Sequence, residues 1–368
     1  MNPAVAPLFT PTTLKGLTLP NRIVMAPMTR SKSPGGIPGP DVAAYYRRRA
    51  EGGVGLIITE GTATPHDFAK NDPDVPDFFG ADALAGWARV VQEVHAAGGR
   101  IMPQIWHVGL RRAPRDPRPE DARAGPSGIA KPGQQVAEPM TEADIADAIA
   151  SYATAAADAK RLGFDGVEIH GAHGYLIDQF FWDQTNLRSD RWGGGFAARG
   201  TFGVAVVKAV RAAVGPDFPI VLRWSQWKGH DFNAKLAGDP EALEQFLRPL
   251  IDAGVDCFHC SQRRFWEPEY PDTGSDMNLA GWVQKISGLP AITVGSIGLD
   301  TEFTSTWKAG SGVQGDLTKL MAMLTRGDFG LVAVGRALIV NPDWPKLIAE
   351  GRTDALVAYD PKALEVLV

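Results

Sequence analysis

The chain has 368 residues, 44% hydrophobic and 21% charged, with a formal net charge of −5. That content can bury a large core, no run of like charge offers a nucleic-acid surface, and no apolar run approaches the roughly 18 residues of a membrane span. Two cysteines make no disulfide framework and the first residues lack a basic, apolar leader pattern, so a soluble cytoplasmic protein is expected.

Strand-like and helix-like stretches alternate along the chain. A strand at residues 22–29 is followed by a helix at 41–50. The same pairing recurs at 54–61 and 83–97, 100–107 and 142–162, 166–172 and 197–214, and 219–225 and 240–253. It ends with 257–261 and 279–286, 291–297 and 316–325, and 331–337 and 344–350. In 142–162 the apolar residues Ile145, Ala148, Ile149, Tyr152, Ala155, Ala156 and Ala159 fall at helical spacing, with Thr141 placed as N-cap. Continuous apolar strands separated by helices predict a parallel sheet covered on both faces. Eight such units, with no early Gly-x-Gly-x-x-Gly turn, favour an α/β fold of the (β/α)8 TIM-barrel type over an open sheet. A single domain over residues 1–368 is expected, with loop insertions after strands three and six.

The first insertion, 110–140, is rich in Arg, Pro, Gly and Asp and reads as a long loop with a small hairpin. The second, 262–276, carries Phe265, Trp266 and Tyr270, which either cover a ligand or pack the loop onto the surface. Cys257 and Cys260 sit three apart in a strand, so they point to opposite faces and read as buried thiols rather than a metal pair.

A barrel carries its chemistry where the strands end. There the sequence places Thr29 and Arg30, Glu60, Gln104 with Trp106 and His107, His170, Arg223, Ser261, Ser296, and Gly335 with Arg336. The densest group is Glu-Ile-His-Gly-Ala-His-Gly-Tyr at 168–175. Two imidazoles can bind one carbonyl oxygen and a phenol can deliver a proton nearby, which suits adding hydride and proton across a polarised double bond. Taken singly, one histidine would merely cap the strand, the other fill the core, and Tyr175 pack. The last two strands end in Val-Gly-Ser-Ile-Gly (294–298) and Val-Gly-Arg-Ala (334–337). Gly295 and Gly335 let backbone approach a ligand, and Arg336 offers a bidentate fork, so a phosphorylated ligand is expected. Arg223 would set positive charge against an electron-rich ring.

These motifs, in order, resemble the old yellow enzyme family of FMN-dependent ene-reductases related to NADH:flavin oxidoreductases. The markers are Leu-Pro-Asn-Arg-Ile-Val-Met-Ala-Pro-Met-Thr-Arg (19–30), Ile-Thr-Glu-Gly (58–61), Gln-Ile-Trp-His (104–107) and Gly-Phe-Asp-Gly-Val-Glu-Ile-His-Gly-Ala-His-Gly-Tyr-Leu (163–176). After them come Gln179-Phe180, Thr185-Asn186 with Arg188 and Asp190, Gly193-Gly194, Leu222-Arg223, and Asn341-Pro342. The resemblance implies FMN at the barrel mouth, with Pro27, Met28 and Thr29 beside the ring and Thr29 bonded to the flavin O4. Gly61 and Gln104 would meet the ring's polar edge, and Arg223 would face N1 and O2. Gly295, Ser296, Gly335 and Arg336 would hold the phosphate. His170, His173 and Trp106 would bind an enone or enal, Tyr175 would be the proton donor, and NADPH or NADH the reductant.

One branch of the family carries cysteine where Thr29 stands, so redox tuning by a thiol is not expected. The segment Gln262-Arg263-Arg264 has no family counterpart, and the two cysteines exclude the iron–sulfur relatives that reduce dienoyl-CoA. Two other readings stay open on the residues alone: a flavin-binding redox module that reduces alkenes incidentally, and a flavin-free phosphate-binding isomerase or aldolase. A monomer and a homo-oligomer are equally compatible with the sequence.

Overall fold

Eight parallel strands close into a barrel in the computed structural model, which describes residues 1–122, 124–301 and 310–368. They are β1 (Ile23–Met25), β2 (Leu56–Ala63), β3 (Ile101–Trp106), β4 (Val167–His173), β5 (Ile220–Lys228), β6 (Cys257–Ser261), β7 (Ala291–Val294) and β8 (Leu331–Val334). Each pairs with the next in chain order, and β8 pairs back to β1 through Val332 opposite Ile23. Helices Pro40–Glu51, Ala81–Ala96, Glu142–Arg161, Thr201–Val214, Pro240–Ala253, Leu279–Ser287, Thr318–Arg326 and Trp344–Glu350 follow the strands in turn. The expected (β/α)8 barrel is therefore the fold.

Strand periodicity explains where the site lies. Val24, Leu56, Ile58, Met102, Val221, Cys257, Ile292, Leu331 and Ala333 form the barrel's interior cluster, while their neighbours Ile23, Ile57, Ile101, Leu222, Phe258 and Val332 join the layer under the helices. A hairpin of Thr12–Leu14 and Leu17–Leu19, which periodicity did not reveal, adds Leu14 and Leu19 to that interior cluster, next to residues from the strand beginnings. Two residues further along, the same alternation puts Gln104 after Met102, Arg223 after Val221, and His259 then Ser261 after Cys257. The interior thus turns from apolar to polar toward the strand ends. Gly166 shows how tight the apolar layer is: a Cβ there would lie 2.5 Å from Met102 Cε and 2.9 Å from Pro219 O.

Cys257 belongs to the interior cluster and Cys260 to the outer one, both as buried free thiols, as the three-residue spacing required. Thr141 caps its helix reciprocally, its Oγ accepting from Asp144 N–H (3.2 Å) while Thr141 N–H donates to the Asp144 carboxylate (2.7 Å). The segment after β3 contains the expected hairpin, Ile129–Lys131 with Gln134–Gln135.

The structure corrects the sequence-based boundaries in places. β1 ends at Met25, because Glu60 takes the N–H groups of Arg30 and Ser31 (2.8 and 3.0 Å) and draws the chain out of the ladder. β4 and β5 run on to His173 and Lys228, with a register shift between Gly171 and His173. The helix expected over 197–214 is two, Phe196–Arg199 and Thr201–Val214, meeting at Gly200, and an unforeseen short helix, Leu176–Phe181, follows β4 directly. Phe265, Trp266 and Tyr270 pack rather than cover: Tyr270 lies edge-on to Trp282 (5.6 Å) and donates to Ala237 O, and none of the three lines the mouth cavity. No helix among the described residues is long and apolar enough to cross a membrane.

Candidate active site

A cavity of about 510 Å³ opens where the strands end. Of the residues singled out from sequence, Pro27, Met28, Thr29, Gln104, Trp106, His170, His173, Tyr175, Arg223, Gly295, Ser296, Gly335 and Arg336 line it. Gly61 does not. A Cβ at Gly61 would strike the Trp106 indole at 2.6 Å, so this glycine is required by Trp106. Among the other polar strand ends, Ser261 reaches the cavity, whereas Glu60 braces the loop after β1 and His107 bonds to His66 (3.0 Å).

His170 and His173 present their rings 5.1 Å apart, and the Tyr175 ring lies 4.9 Å from both His170 and Trp106. The chain does not reach Tyr175 as a continuing strand. Instead the backbone turns: His173 has φ 65°, Gly174 has φ 80°, and Tyr175 N–H bonds back to Ala172 O at 3.2 Å. The Leu176–Phe181 helix pins this turn. Asp178 accepts from Gly174 N–H (2.6 Å) and pairs with Lys228 (2.7 Å), both side chains 0% exposed, while Gln179 donates to Gly174 O at 2.8 Å. The markers Thr185 and Asn186 tie to the same helix through the carbonyls of Gln179 and Phe180. They are scaffold.

Protons on the imidazoles follow from their partners. His170 Nδ1 accepts from Ala172 N–H (3.3 Å), which leaves its proton on Nε2. His173 Nε2 lies 2.7 Å from Ser261 Oγ, which also accepts from Arg223 at 3.4 Å. Burial first, then the Arg223 charge, hold both histidines well below their ordinary pKa, so they are neutral donors. Burial raises the Tyr175 phenol above its ordinary value, opposed by Arg111 and Arg223, and it stays protonated at neutral pH.

Below the opening, Gln104 Nε2 donates to Glu168 (2.7 Å), whose other oxygen lies 2.6 Å from His259 Nδ1. The carboxylate can only accept, so it fixes the Gln104 amide with Oε1 left for a donor in the cavity. Arg223 stands between His170 and His259 across the ladder, and its buried Nε has no partner among the described residues. An orphaned guanidinium N–H and a fixed amide carbonyl lining one cavity suit an aromatic ligand edge that offers both an acceptor and a donor.

A Cβ on Gly335 would meet only the side chains of Met28 (Sδ, 3.7 Å) and Ala26 (Cβ, 3.9 Å), both at ordinary contact distance. Ser296 and Gly335 keep backbone N–H groups that donate to no acceptor among the described residues. Gly295 is needed for another reason than expected: with φ 151°, its Cβ would sit 2.9 Å from Gln262 O, so the chain after β6 demands it. Arg336 lies over the Tyr359 ring at 5.6 Å. These groups fit the phosphate end of FMN, as Arg223 and Gln104 fit its ring.

Among the cavity residues not assigned from sequence are Arg111, Trp227, Tyr359 and, in its role, Ser261. Ser261 announced itself as a polar residue ending a strand. Arg111 lies in an aperiodic loop and Tyr359 near the end of the chain, where no pattern marks them.

The buried histidines also set the pH response of the fold. His107, His170, His173 and His259 all have folded pKa values below the ordinary one, mainly through burial. The unfolded chain therefore takes up protons first, and stability falls as pH drops below about 6.5, each histidine adding up to about 1.4 kcal/mol per pH unit. Glu60, with its carboxyl pushed up to about 7 by burial, acts oppositely between about 4.5 and 7, and the raised carboxyls of Asp77, Asp178 and Glu269 work in the same sense, against six lowered histidines once His66 and His230 are included. Thermal unfolding from pH 8 to 5 should show a steady loss below pH 6.5, and a flat profile would contradict the assigned neutral state.

Residues 7–355 match the family described as NADH:flavin oxidoreductase / NADH oxidase. The chain is 34% identical over 357 residues to an NADH oxidase of Thermoanaerobacter brockii, covering 95% of this chain but only 52% of that protein, so it spans about half the length of this relative. It is 32% identical over 357 residues to putative 12-oxophytodienoate reductase 4 of Oryza sativa subsp. japonica, covering 94% of this chain and 87% of the relative. A solved structure of morphinone reductase with tetrahydroNAD superposes with a TM-score of 0.79 at 29% identity, over 97% of this chain and 93% of that one. The flavin-free isomerase or aldolase reading is thereby set aside. The family match over residues 7–355 makes this chain a member of the old yellow enzyme family, an oxidoreductase with FMN as cofactor and NAD(P)H as reductant.

Proposed function

We propose that the chain reduces the C=C bond of α,β-unsaturated carbonyl compounds, with His170 and His173 binding the carbonyl oxygen and Tyr175 protonating the α-carbon. The observation that carries this reading is the convergence of two neutral imidazole donors and a protonated phenol on one cavity, the Tyr175 and His173 rings each about 5 Å from His170. Bound FMN, reduced by NAD(P)H, supplies the hydride. The Nε2–H of His170, and the Nδ1–H of His173 when Ser261 donates to its Nε2, would draw density from the carbonyl oxygen and make the β-carbon electrophilic, and they stabilise the negative charge that grows on oxygen. Trp106 and Trp227 wall the opening and exclude water, which strengthens those bonds. Tyr175 completes the addition by giving its proton to the α-carbon. The donor–acceptor set of Arg223 and Gln104, together with Thr29, Pro27 and Met28, would orient the ring, and Ser296, Gly335 and Arg336 its phosphate.

His170→Ala and His173→Ala should each raise the KM for 2-cyclohexenone and slow the oxidative half-reaction by about 10²–10³-fold, the loss typical for one donor to a developing oxyanion. Reduction of the flavin by nicotinamide should change far less. Stopped-flow traces separate the two steps, and parent-rate enone turnover in both variants would remove the carbonyl-binding role.

A further inference from the structure

Arg111 comes from the loop after β3, yet its guanidinium reaches the heart of the cavity. It lies 5.3 Å from the Tyr175 ring centroid, and its Nη1 donates to His173 O at 3.2 Å. Its backbone carbonyl is held by Asn71 Nδ2 at 3.1 Å. No carboxylate among the described residues forms an ion pair with it. Gly229 makes room for it: a Cβ there would sit 2.0 Å from Arg111 Nη1. A cation with no directly ion-paired carboxylate among the described residues is thus seated between the turn and the ring of the proton donor.

We propose that Arg111 is the positioning residue of the proton donor, holding the Tyr175 phenol beside His170 and stabilising the phenolate left when the proton departs. This rests on the role given to Tyr175 above. In that step the Oη–H bond breaks and its electron pair stays on oxygen, the enolate's pair forms the new C–H bond at the α-carbon, and solvent later restores the phenol proton. Burial works against a phenolate, so the step needs a nearby positive charge. The charged and titratable groups around Tyr175 are few. His170 and, beside Gly174, His230 are held neutral chiefly by burial, and Asp178 and Lys228 cancel each other behind the turn. That leaves Arg111 and Arg223, and Arg223 is shared with Ser261 and the floor of the cavity. Of the two, Arg111 lies over the Tyr175 ring and acts on the phenol more strongly than Arg223.

The test uses the FMN-loaded protein as parent, Arg111→Ala, Arg111→Lys and Gly229→Ala, each with Tyr175 intact or replaced by Phe. Enone-driven reoxidation gives the rate, and difluorotyrosine at position 175, followed by ¹⁹F NMR, gives the phenol's ionisation midpoint independently of activity. Arg111→Ala should raise that midpoint by about one pH unit, the effect of one charge at 4–6 Å, and slow reoxidation several-fold. Arg111→Lys should recover most of both, and Gly229→Ala, whose Cβ pushes the guanidinium aside, should mimic part of the loss. In the Tyr175→Phe background none of the three should slow the reaction further. An unmoved midpoint, or equal slowing with and without the phenol, overturns the assignment to Arg111 while leaving Tyr175 as donor. Parent-rate reoxidation in Tyr175→Phe alone would instead overturn the donor reading itself, and Arg111's role with it.

Discussion

Tyr175→Phe should leave the fold, flavin binding and reduction by NAD(P)H intact while slowing reoxidation by an enone by about 10²–10⁴-fold, the usual contribution of a general acid. The substitution removes only a hydroxyl. The ring keeps its contacts with Trp106 and His170, and the turn that carries it is held by backbone bonds to Asp178 and Gln179 rather than by the phenol. Reoxidation by oxygen or a quinone needs no proton on carbon and should proceed near the parent rate. A Phe variant that reduces enones as fast as the parent would show that water or another group supplies the proton.

The second large effect is on stability. Lys228 and Asp178 form an ion pair with both side chains fully buried, and Asp178 also takes the Gly174 N–H. Lys228→Met strands the carboxylate, and breaking such a pair costs about 3–5 kcal/mol. Because Asp178 anchors the turn before Tyr175, the same variant should also slow enone reduction more than flavin reduction. Replacing both partners, as Lys228→Met with Asp178→Leu, removes the stranded charge and should recover much of the denaturation midpoint. Denaturant titrations of the single and double variants decide it; a single variant as stable as the parent would mean the pair is not isolated from water.

Much of this was legible because it is local. The 168–175 stretch puts both imidazoles and the phenol on one segment, and strand alternation carries Gln104, Arg223 and Ser261 into the interior above Met102, Val221 and Cys257. What escaped depends on contacts between distant segments. Gly61 reads as a ligand contact until Trp106 is seen packed against it, and the need for glycine at 295 comes from Gln262 O beside it. The positive φ of His173 belongs to a non-glycine residue, and nothing in a histidine announces such a turn. Arg111 is one of several arginines in an aperiodic loop. Only the fold shows that it, rather than Arg112 or Arg115, reaches the cavity.

The central claim is that electrons taken from NAD(P)H are passed to an activated alkene in this cavity. The most direct measurement is an anaerobic one: reduce the FMN-loaded protein with one equivalent of NADPH or NADH, mix it with 2-cyclohexenone, and follow flavin absorbance and product together. The account predicts prompt reoxidation with one cyclohexanone formed per flavin. Flavin that stays reduced in the presence of the enone, yet reoxidises once oxygen is admitted, would contradict it and leave a redox module that does not act on alkenes.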